Sequence, residues 1–380
     1  MKRILISALL LVGLVSHGAT RYVSVTGSAG NSGLIASSPW PLSYALAHVT
    51  PNSTLILLSG NYPSIDLSAQ NQQGLTLRSQ IKLGARIVGT AGLQGIATES
   101  AAVLSNIVVD GFEVVTSAID GVKFTGPFCS VSNCWIHNCF GQGVAAHNVN
   151  RTRILWNLIE HNGTDQQHDH GIYVAGTNLD IGCNVIRYNR HYGVQCYDST
   201  GDVADVHLFN NLIYGNPLGV ILWSYGGYTN SLIGNTIVSA ANNAVVLNGG
   251  VCTITNNILF CGSSYYPIEL NHGAVARTDY NLVSKRIAPS GAHDVQSASA
   301  GFVNAAKGLY WLTSGSPARG MAASAAHATT SFFGQTQGTV TDVGAFQYNP
   351  LLAADARTLD PLPNDGSDYW LMLTSDGNRR

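Results

Sequence analysis

A short repeat constrains this sequence more than any other feature. Each copy carries two asparagines five residues apart with apolar residues between them, and the copies begin at Asn133, Asn157, Asn184 and Asn211, with weaker ones at Asn235 and Asn257. Successive copies start 22 to 27 residues apart. That period is too short for a propeller blade of roughly 40 residues, and the leucine pattern of leucine-rich repeats is missing. It suits one coil of a parallel β-helix, because stacked coils of short strands bury a continuous core.

A second signature follows each copy. It is a glycine that opens a short apolar strand, and it stands at Gly121, Gly143, Gly171, Gly193 and Gly219, with Ala244 in the same place later. Recurrent asparagine fits a coil because asparagine tolerates left-handed turns, and stacked amides can bond from coil to coil. A β-sandwich would need hairpin turns, which are sparse here. The repeat therefore predicts an all-β, single-stranded right-handed parallel β-helix, a solenoid.

The ends of the chain differ from the repeats. Residues 1–19 combine a basic start, an apolar stretch and small residues, which is typical of a secretory signal peptide; a retained N-terminal anchor is the alternative. The division we predict is a signal peptide at 1–19, the β-helix domain at 20–350 and a polar tail at 351–380. A short amphipathic helix within residues 41–49 is expected to cap the N-terminal end of the solenoid. The protein is therefore expected outside the cytoplasm, secreted or periplasmic, with no membrane span after cleavage.

Composition and net charge limit the kinds of partner that this protein is expected to bind. Charged residues make up 11% of the chain and the net charge is −2, so no basic stripe is available to replace phosphate counterions and a nucleic-acid partner is not expected. The seven cysteines match no zinc spacing. Buried thiols are favoured over disulfides, since an odd count leaves at least one unpaired. A monomer is expected.

The two ends and the coils together resemble secreted proteins of the pectate-lyase-like superfamily, in particular its chondroitinase-B-like and alginate-lyase-like members. The similarity rests on Tyr22-Val-Ser-Val-Thr-Gly27, Ser38-Pro-Trp-Pro-Leu42, Ala45, Ser59-Gly-Asn-Tyr62, residues 312–317 and Asp342-Val-Gly-Ala345. It spans roughly residues 20 to 348. The resemblance implies a β-helix that acts on or binds a polysaccharide. It does not imply one reaction, because the superfamily includes lyases, hydrolases, epimerases and members without known catalysis.

Strand alternation predicts which side chains face outward from the second signature. One outward row should contain Lys123, Ala145, Tyr173, Gln195 and Ile221. A neighbouring row should contain Thr125, His147, Ala175, Tyr197 and Trp223. Because stacked coils lie roughly 4.8 Å apart, the two rows predict one surface patch about 20 Å long.

One coil carries an insertion beside this patch. Between Asn162 and Gly171 the chain has eight residues, against three between Asn189 and Gly193. The longer loop is expected to bring four polar side chains to the rim, with two more on the next coil: Asp165, His168, Asp169 and His170, then Arg190 and His191. Loops on a rigid scaffold often carry function.

The residue types in the patch and the loop fit β-elimination on a uronic acid, which needs a cation for the carboxylate, a base for the C5 proton and an acid for the leaving oxygen. Lys123 or Arg190 is the candidate cation, and His170 or Lys123 the candidate base. Tyr173 is the candidate acid. The predicted substrate-binding residues are His147, Gln195, Tyr197, Trp223, His168 and His191. The predicted partner is an acidic polysaccharide.

Other functions remain open at the level of the sequence. Asp165 and Asp169 are weak candidates for a metal site, with calcium also possible at Asp198 and Asp202, and His168 with His170 is a weak signal for another metal. Hydrolysis needs paired carboxylates roughly 5 to 9.5 Å apart, and the patch offers only the two loop aspartates. An epimerase would use similar residues. A non-catalytic carbohydrate-binding or surface β-helix is the alternative from another class, and each candidate side chain can equally be a solvated surface residue.

Overall fold

The computed structural model describes residues 18–98, 103–199, 203–224, 228–239, 241–285, 287, 290–323 and 342–349. Most of the predicted signal peptide (1–17), the predicted tail (351–380) and Asp202 lie outside this part of the chain. Short parallel strands make up nearly all the regular structure within it, and the predicted parallel β-helix is confirmed. Its helices are all too short to cross a membrane.

Each coil contributes to three parallel sheets. Sheet 1 holds the strands that follow the second signature: Ile65–Leu67, Ile96–Thr98, Val122–Phe124, Val144–Asn150, Ile172–Gly182, Tyr192–Cys196, Leu218–Trp223, Val245–Asn248 and Ile268–Asn271. Its strands pair in the order of the chain, so residues one coil apart lie side by side.

Sheet 2 follows sheet 1 in every coil, and the strand Ile172–Gly182 runs through both sheets. Its other strands are Thr20–Val23, Thr54–Leu57, Thr76–Ser79, Val108–Asp110, Ser130–Ser132, Arg153–Leu155, Ala204–Phe209, Thr229–Ile233, Val251–Thr255 and Val275–Asp279.

Sheet 3 contains the first signature. Its strands are Gly60–Tyr62, Ala85–Val88, Glu113–Val115, Trp135–His137, Leu158–Glu160, Val185–Arg187, Leu212–Tyr214, Thr236–Ser239, Ile258–Cys261, Leu282–Val283 and Val295–Gln296. Outside the coils, Phe302–Asn304 and Leu309–Leu312 form an antiparallel pair. Two 3₁₀ turns, at Gln70–Gln72 and Ala305–Lys307, complete the regular structure described.

Two ladders of buried asparagine explain the first signature. In the longer ladder, Asn184 Oδ1 accepts hydrogen bonds from both the amide and the side chain of Asn157, at 2.9 and 3.0 Å. The pattern repeats from coil to coil through Asn211, Asn235, Asn257 and Asn281 to Asp294. A second ladder joins Asn162, Asn189 and Asn216. The expected bonding between stacked amides is therefore confirmed, and it satisfies polar groups that no water reaches.

The first repeat copy is out of register with the sequence alignment. Strand pairing sets Trp135 opposite Leu158, so Cys134, not Asn133, occupies the ladder position opposite Asn157. The left-handed conformation belongs to the residue before each ladder asparagine, with φ of 55° at both Asn133 and Trp156. The ladder asparagines are thus selected for their amide bonds rather than for tolerance of a turn.

The glycine of the second signature is required by the asparagine ladder. A Cβ at Gly171 would lie 2.8 Å from Asn189 Nδ2 and 2.7 Å from the Gly193 carbonyl oxygen. At Gly171 a side chain would therefore collide with the second ladder and the next coil, whereas Ala244 takes the corresponding place beyond the end of that ladder. Inside the coils, six of the seven cysteines are buried and Cys261 is partly exposed. None of the seven forms a disulfide, in agreement with the predicted buried thiols.

The two ends of the solenoid are closed differently. At the N-terminal end, the predicted helix is present at Leu42–His48, and Leu42 and Leu46 pack against the core while Ala45 is fully buried. The side chain of Asn71 donates to three carbonyl groups at the C-terminal end of this helix. The helix therefore caps the open core, as predicted.

The C-terminal segment folds back over the outer face of sheet 3. Tyr310, Trp311 and Phe346 pack against the outward-facing Leu158, Val185 and Leu212 in one apolar cluster. A charged network lies beside this cluster, on the same face. Arg187 Nε donates to Glu160 Oε2 at 2.5 Å, and both side chains are 7% exposed. Arg187 Nη1 also donates to the hydroxyl of Tyr214 at 2.6 Å, and Trp135 Nε1 donates to Glu160 Oε1 at 3.0 Å. This face is therefore occupied by the protein itself.

Candidate active site

The strand register confirms the two outward rows on sheet 1. Lys123 pairs with Ala145, Ala145 with Tyr173, Tyr173 with Gln195 and Gln195 with Ile221. In the neighbouring row, His147 pairs with Ala175. The rings of Tyr197 and Trp223, one coil apart, have centroids separated by 5.3 Å. Burial alternates as expected, since Val122 and Phe124 are buried and Lys123 between them is partly exposed.

Three of the predicted residues lie together at the middle of this surface. The rings of His147 and Tyr173 meet edge to face, with centroids 4.8 Å apart. Lys123 and His147 line one cleft of about 490 Å³ with Thr125, Asn148 and Val103. Ala145 lies in the row between Lys123 and Tyr173 and is fully buried. Its small side chain thus leaves the neighbouring long side chains room to close over it.

Burial and nearby charges determine which of the two rings can accept a proton and which can donate one. Burial, and after it the positive charge of Lys123, lowers the pKa of His147 below its usual value. Burial, and after it Tyr197 and Asp198, raises the pKa of Tyr173. Near neutral pH, His147 is therefore an unprotonated imidazole able to accept a proton, and Tyr173 is a phenol able to donate one.

One further residue acts on both rings through its charge. The carboxylate of Asp198 acts to raise the pKa of both His147 and Tyr173. The sequence offered Asp198 only as a calcium candidate. Asp198 stands at the corner after the strand Tyr192–Cys196, which period-2 alternation does not describe.

His170 differs from its expected position on the rim. Its side chain is only 2% exposed and stands in a third ladder, formed by the residues just before the sheet 1 glycines. Gln94 accepts from the amide of Asp120, Asp120 from that of Gln142, and Gln142 from that of His170. His170 Nδ1 then accepts from the amide of Tyr192 at 3.3 Å.

This ladder assigns His170 a structural role. An imidazole whose Nδ1 accepts a hydrogen bond must be unprotonated at that atom. Burial, and after it the charges of His191 and His168, lowers the pKa of His170 to about 3. The rings of His170 and Tyr173 are still neighbours, with centroids 5.8 Å apart. His170 is therefore a buried neighbour of Tyr173 that the ladder holds in place.

The inserted loop is held mainly by its own polar groups. Asp169 Oδ2 accepts from the amides of Thr164 and Asp165, at 2.8 and 2.6 Å. The carboxylate of Asp165 bonds within the loop: Oδ1 accepts from the amide of Gln167, and Oδ2 pairs with His168 Nδ1 at 2.9 Å. His191 Nδ1 hydrogen-bonds to the carbonyl oxygen of Gln167 at 3.0 Å and so ties the loop to the next coil. These contacts account for Asp165, Asp169 and His191 without a ligand.

The remaining candidates are separated from the central cluster. Arg190 is exposed at the corner before sheet 1, and within the described part of the chain its guanidinium takes part in no ion pair. Among the described residues, no group of three or more His, Cys, Asp or Glu side chains is arranged to hold a metal ion.

An aromatic stretch continues the groove towards the C-terminal coils. Trp223 lies between Tyr197 and the exposed His272, with ring centroids 5.3 and 5.6 Å away. Gln195, one coil after Tyr173, hydrogen-bonds to His170 with its side chain. His272 was not among the predicted residues, and it directly follows Asn271, which lies two coils after Trp223 in the strand register.

Comparisons with known proteins identify the fold. The family model described as the right handed beta helix region matches residues 94–237. No curated protein matches the chain. The solved structure of the pectate lyase Pel9A is 14% identical with a TM-score of 0.55, over 87% of this chain and 96% of that one. XylC in complex with xylose is 10% identical with a TM-score of 0.51, over 69% of this chain and 75% of that one.

A further similar structure is the mannuronan C-5 epimerase A-module of Azotobacter vinelandii, at 16% identity and a TM-score of 0.48 over 60% of this chain and 68% of that one. The chain thus has the right-handed β-helix fold that the sequence predicted.

Proposed function

We propose that this protein is a polysaccharide lyase that cleaves a uronic-acid-containing polysaccharide by β-elimination in the groove of sheet 1. The observation that carries the proposal is the contact between His147 and Tyr173, with ring centroids 4.8 Å apart, beside the cleft that Lys123 lines. A proton acceptor, a proton donor and a cation thus share one open surface.

The reaction requires two proton movements at one sugar. A base removes the C5 proton of the uronate, the electrons of that C–H bond form a C4–C5 double bond, and the C4–O bond breaks. The departing oxygen takes a proton from an acid. Neutralising the carboxylate makes the C5 proton removable, and each positioned proton transfer typically contributes 10²- to 10⁴-fold in rate.

The side chains take these roles according to their protonation states. His147 is the base, because its lowered pKa leaves it unprotonated near neutral pH. Tyr173 is the acid, because its raised pKa keeps the phenol protonated. Lys123 neutralises the carboxylate. His147 replaces His170, the base expected from the sequence, because the His170 ring is buried in the ladder.

The similar folds support the coarser part of this proposal. One similar protein is a pectate lyase and another was solved in complex with xylose, which supports a carbohydrate ligand for this chain. Identities of 10 to 14% give no residue-level correspondence. We also propose that the chain is exported, since polymers of this kind lie outside the cytoplasm and residues 1–19 have the pattern of a signal peptide.

The test is an assay for the ultraviolet absorbance of unsaturated uronate with a panel of uronic-acid polysaccharides, with and without calcium. We expect absorbance to rise with at least one polymer. His147→Gln should lower kcat by about 10²-fold or more. The matched control is His207→Gln, because His207 is an exposed histidine on sheet 2 that bonds Ser231; this variant should keep full activity.

A second candidate is a carbohydrate-binding protein without catalysis. The rings of Tyr197, Trp223 and His272 favour it, since a row of partly exposed rings can stack sugars without any proton transfer. Tight binding of a polymer with no absorbance change would select this alternative. Equal loss of activity in the His147 and His207 variants would contradict the lyase assignment.

A further inference from the structure

We infer that the groove takes a heteropolysaccharide in which uncharged sugars separate the uronic acids, rather than a polymer made only of uronic acids. The inference rests on the proposed function for the position of the reacting uronate. It extends that proposal by naming the class of substrate, and it depends on how charge is distributed along sheet 1.

Lys123 is the only lysine or arginine on the sheet 1 strands that the structure describes. The outward row that contains it begins at Asp66, passes Ala97 to Lys123, and ends beyond Val246 at Glu269. Acidic residues therefore stand at both ends of the row. Asp198, at the corner after the strand Tyr192–Cys196, adds a third carboxylate, and its charge acts on Tyr173. One uronate is matched by one cation, and further carboxylates would meet like charge.

The carboxylate of Glu269 has a fixed position. Asn271 Nδ2 donates to Glu269 Oε1 at 3.0 Å, and Asn243 Nδ2 donates to Glu269 Oε2. Glu269 is itself exposed, so its charge is directed to the C-terminal end of the groove.

Between Tyr173 and Glu269 the outward row itself is uncharged, since it passes through Gln195, Ile221 and Val246. Ile221 and Val246 form an apolar cluster with Leu218 on the outside of sheet 1, and the rings of Tyr192 and Trp223 pack against it. A carboxylate held over such a surface loses water without gaining a hydrogen bond, which is costly. The face of an uncharged sugar fits these rings instead.

The length of this uncharged stretch exceeds one sugar. Lys123 and Trp223 belong to coils four steps apart, and steps of roughly 4.8 Å place them about 19 Å from one another. A polymer lying along the solenoid axis would therefore put several sugars between the cation and Trp223. In a polymer of uronic acids, each of these sugars would carry a carboxylate without a cation.

The experiment measures polymer binding by calorimetry in the Tyr173→Phe background, which prevents turnover. The probes are hyaluronan and unsulfated chondroitin, which alternate uronate with an uncharged amino sugar, and polygalacturonate and polymannuronate, which do not. We expect the alternating polymers to bind about tenfold more tightly or better, a difference of about 1.4 kcal/mol. Glu269→Gln should narrow this difference by strengthening binding of the two polyuronates.

The matched control is Asp180→Asn, which removes the same charge from the outer face of sheet 2, where Asp180 lies 3.7 Å from Arg153. Equal or tighter binding of the polyuronates overturns the inference, as does an equal effect of the two variants or no binding of any polymer. The alternating polymers could bind preferentially while the wild-type protein forms no unsaturated product. That result would support the inferred class of substrate and contradict the lyase function.

Discussion

The outer faces of sheet 1 and sheet 3 carry similar residue types with opposite consequences. Sheet 3 displays Tyr214, Trp135, Arg187 and Glu160, which bond one another beside a cover of C-terminal residues. Sheet 1 displays Tyr173, Trp223, His147 and Lys123 along an open groove. Tyrosine, tryptophan and charge therefore do not mark a site in this fold. The groove differs because its polar side chains face solvent, where they can bind a ligand.

The largest expected difference is between two tyrosines. Tyr173→Phe on sheet 1 should lower kcat by about 10³-fold, within the range for a lost acid, while the melting temperature stays unchanged. Tyr214→Phe on sheet 3 should keep kcat and lower the free energy of unfolding by about 1 to 3 kcal/mol, because Arg187 loses a buried partner. Absorbance assays and thermal unfolding of both variants measure this. Loss of activity in both variants would contradict the assignment of the active site to sheet 1 alone.

The covered face of sheet 3 should also differ from the exposed face of sheet 2 in how strongly ion pairs support the fold. Arg187→Leu leaves Glu160 buried without its cation and should cost about 3 to 5 kcal/mol of unfolding free energy. Arg153→Leu breaks the exposed pair with Asp180 and should cost less than about 1 kcal/mol. Denaturant unfolding compares the two. Similar losses would mean that the C-terminal segment does not shield the sheet 3 pair from water.

His170 sharpens the comparison, because its ring neighbours Tyr173 on sheet 1 and yet is buried in a ladder. Its folded pKa of about 3 lies below the usual value near 6.5, so acid protonates the unfolded chain first. Stability is then complete above pH 6.5 and is lost progressively as the pH falls towards 3. His170→Gln should remove this part of the acid sensitivity, since Gln142 shows that glutamine fits the ladder.

The same variant separates the two roles of His170. As a ladder residue, glutamine should preserve kcat at neutral pH, whereas loss of a catalytic base would lower it by about 10²-fold or more. Unfolding as a function of pH, together with the absorbance assay, therefore tests the ladder and the choice of His147 as base in one experiment.

The smallest expected effect concerns two tryptophans. Trp223→Ala should weaken polymer binding by up to about tenfold, because aromatic contacts are typically worth about 0.5 to 1.5 kcal/mol. Trp135→Ala should leave binding unchanged and reduce stability only, since its indole donates to Glu160. Titration of both variants with one polymer measures the difference. A Trp135 variant that binds as weakly as the Trp223 variant would contradict the groove's location.

The sequence predicted the solenoid and the outward rows because both follow from a period. The interval between copies gives the coil, and alternation along Val122, Lys123 and Phe124 gives the exposed side chain. It did not predict the corners. His170 precedes the strand, where a side chain bonds the amide of the next coil instead of alternating. The one-residue slip at Asn133 has the same origin. An asparagine can occupy either the left-handed position or the ladder position of a corner, and only strand pairing shows which of the two Asn133 occupies.

The ladders also separate the parts of a coil that can change length from those that cannot. Two asparagines stand five residues apart in each of three successive coils, beginning at Asn157, Asn184 and Asn211. The segment from the second asparagine to the sheet 1 glycine instead holds eight, three and two residues. Insertions at that corner lengthen a wall of the groove and leave the amide ladder in register. A solenoid of this kind can therefore acquire or exchange the loops around its groove while sheet 3 and the core keep the same geometry.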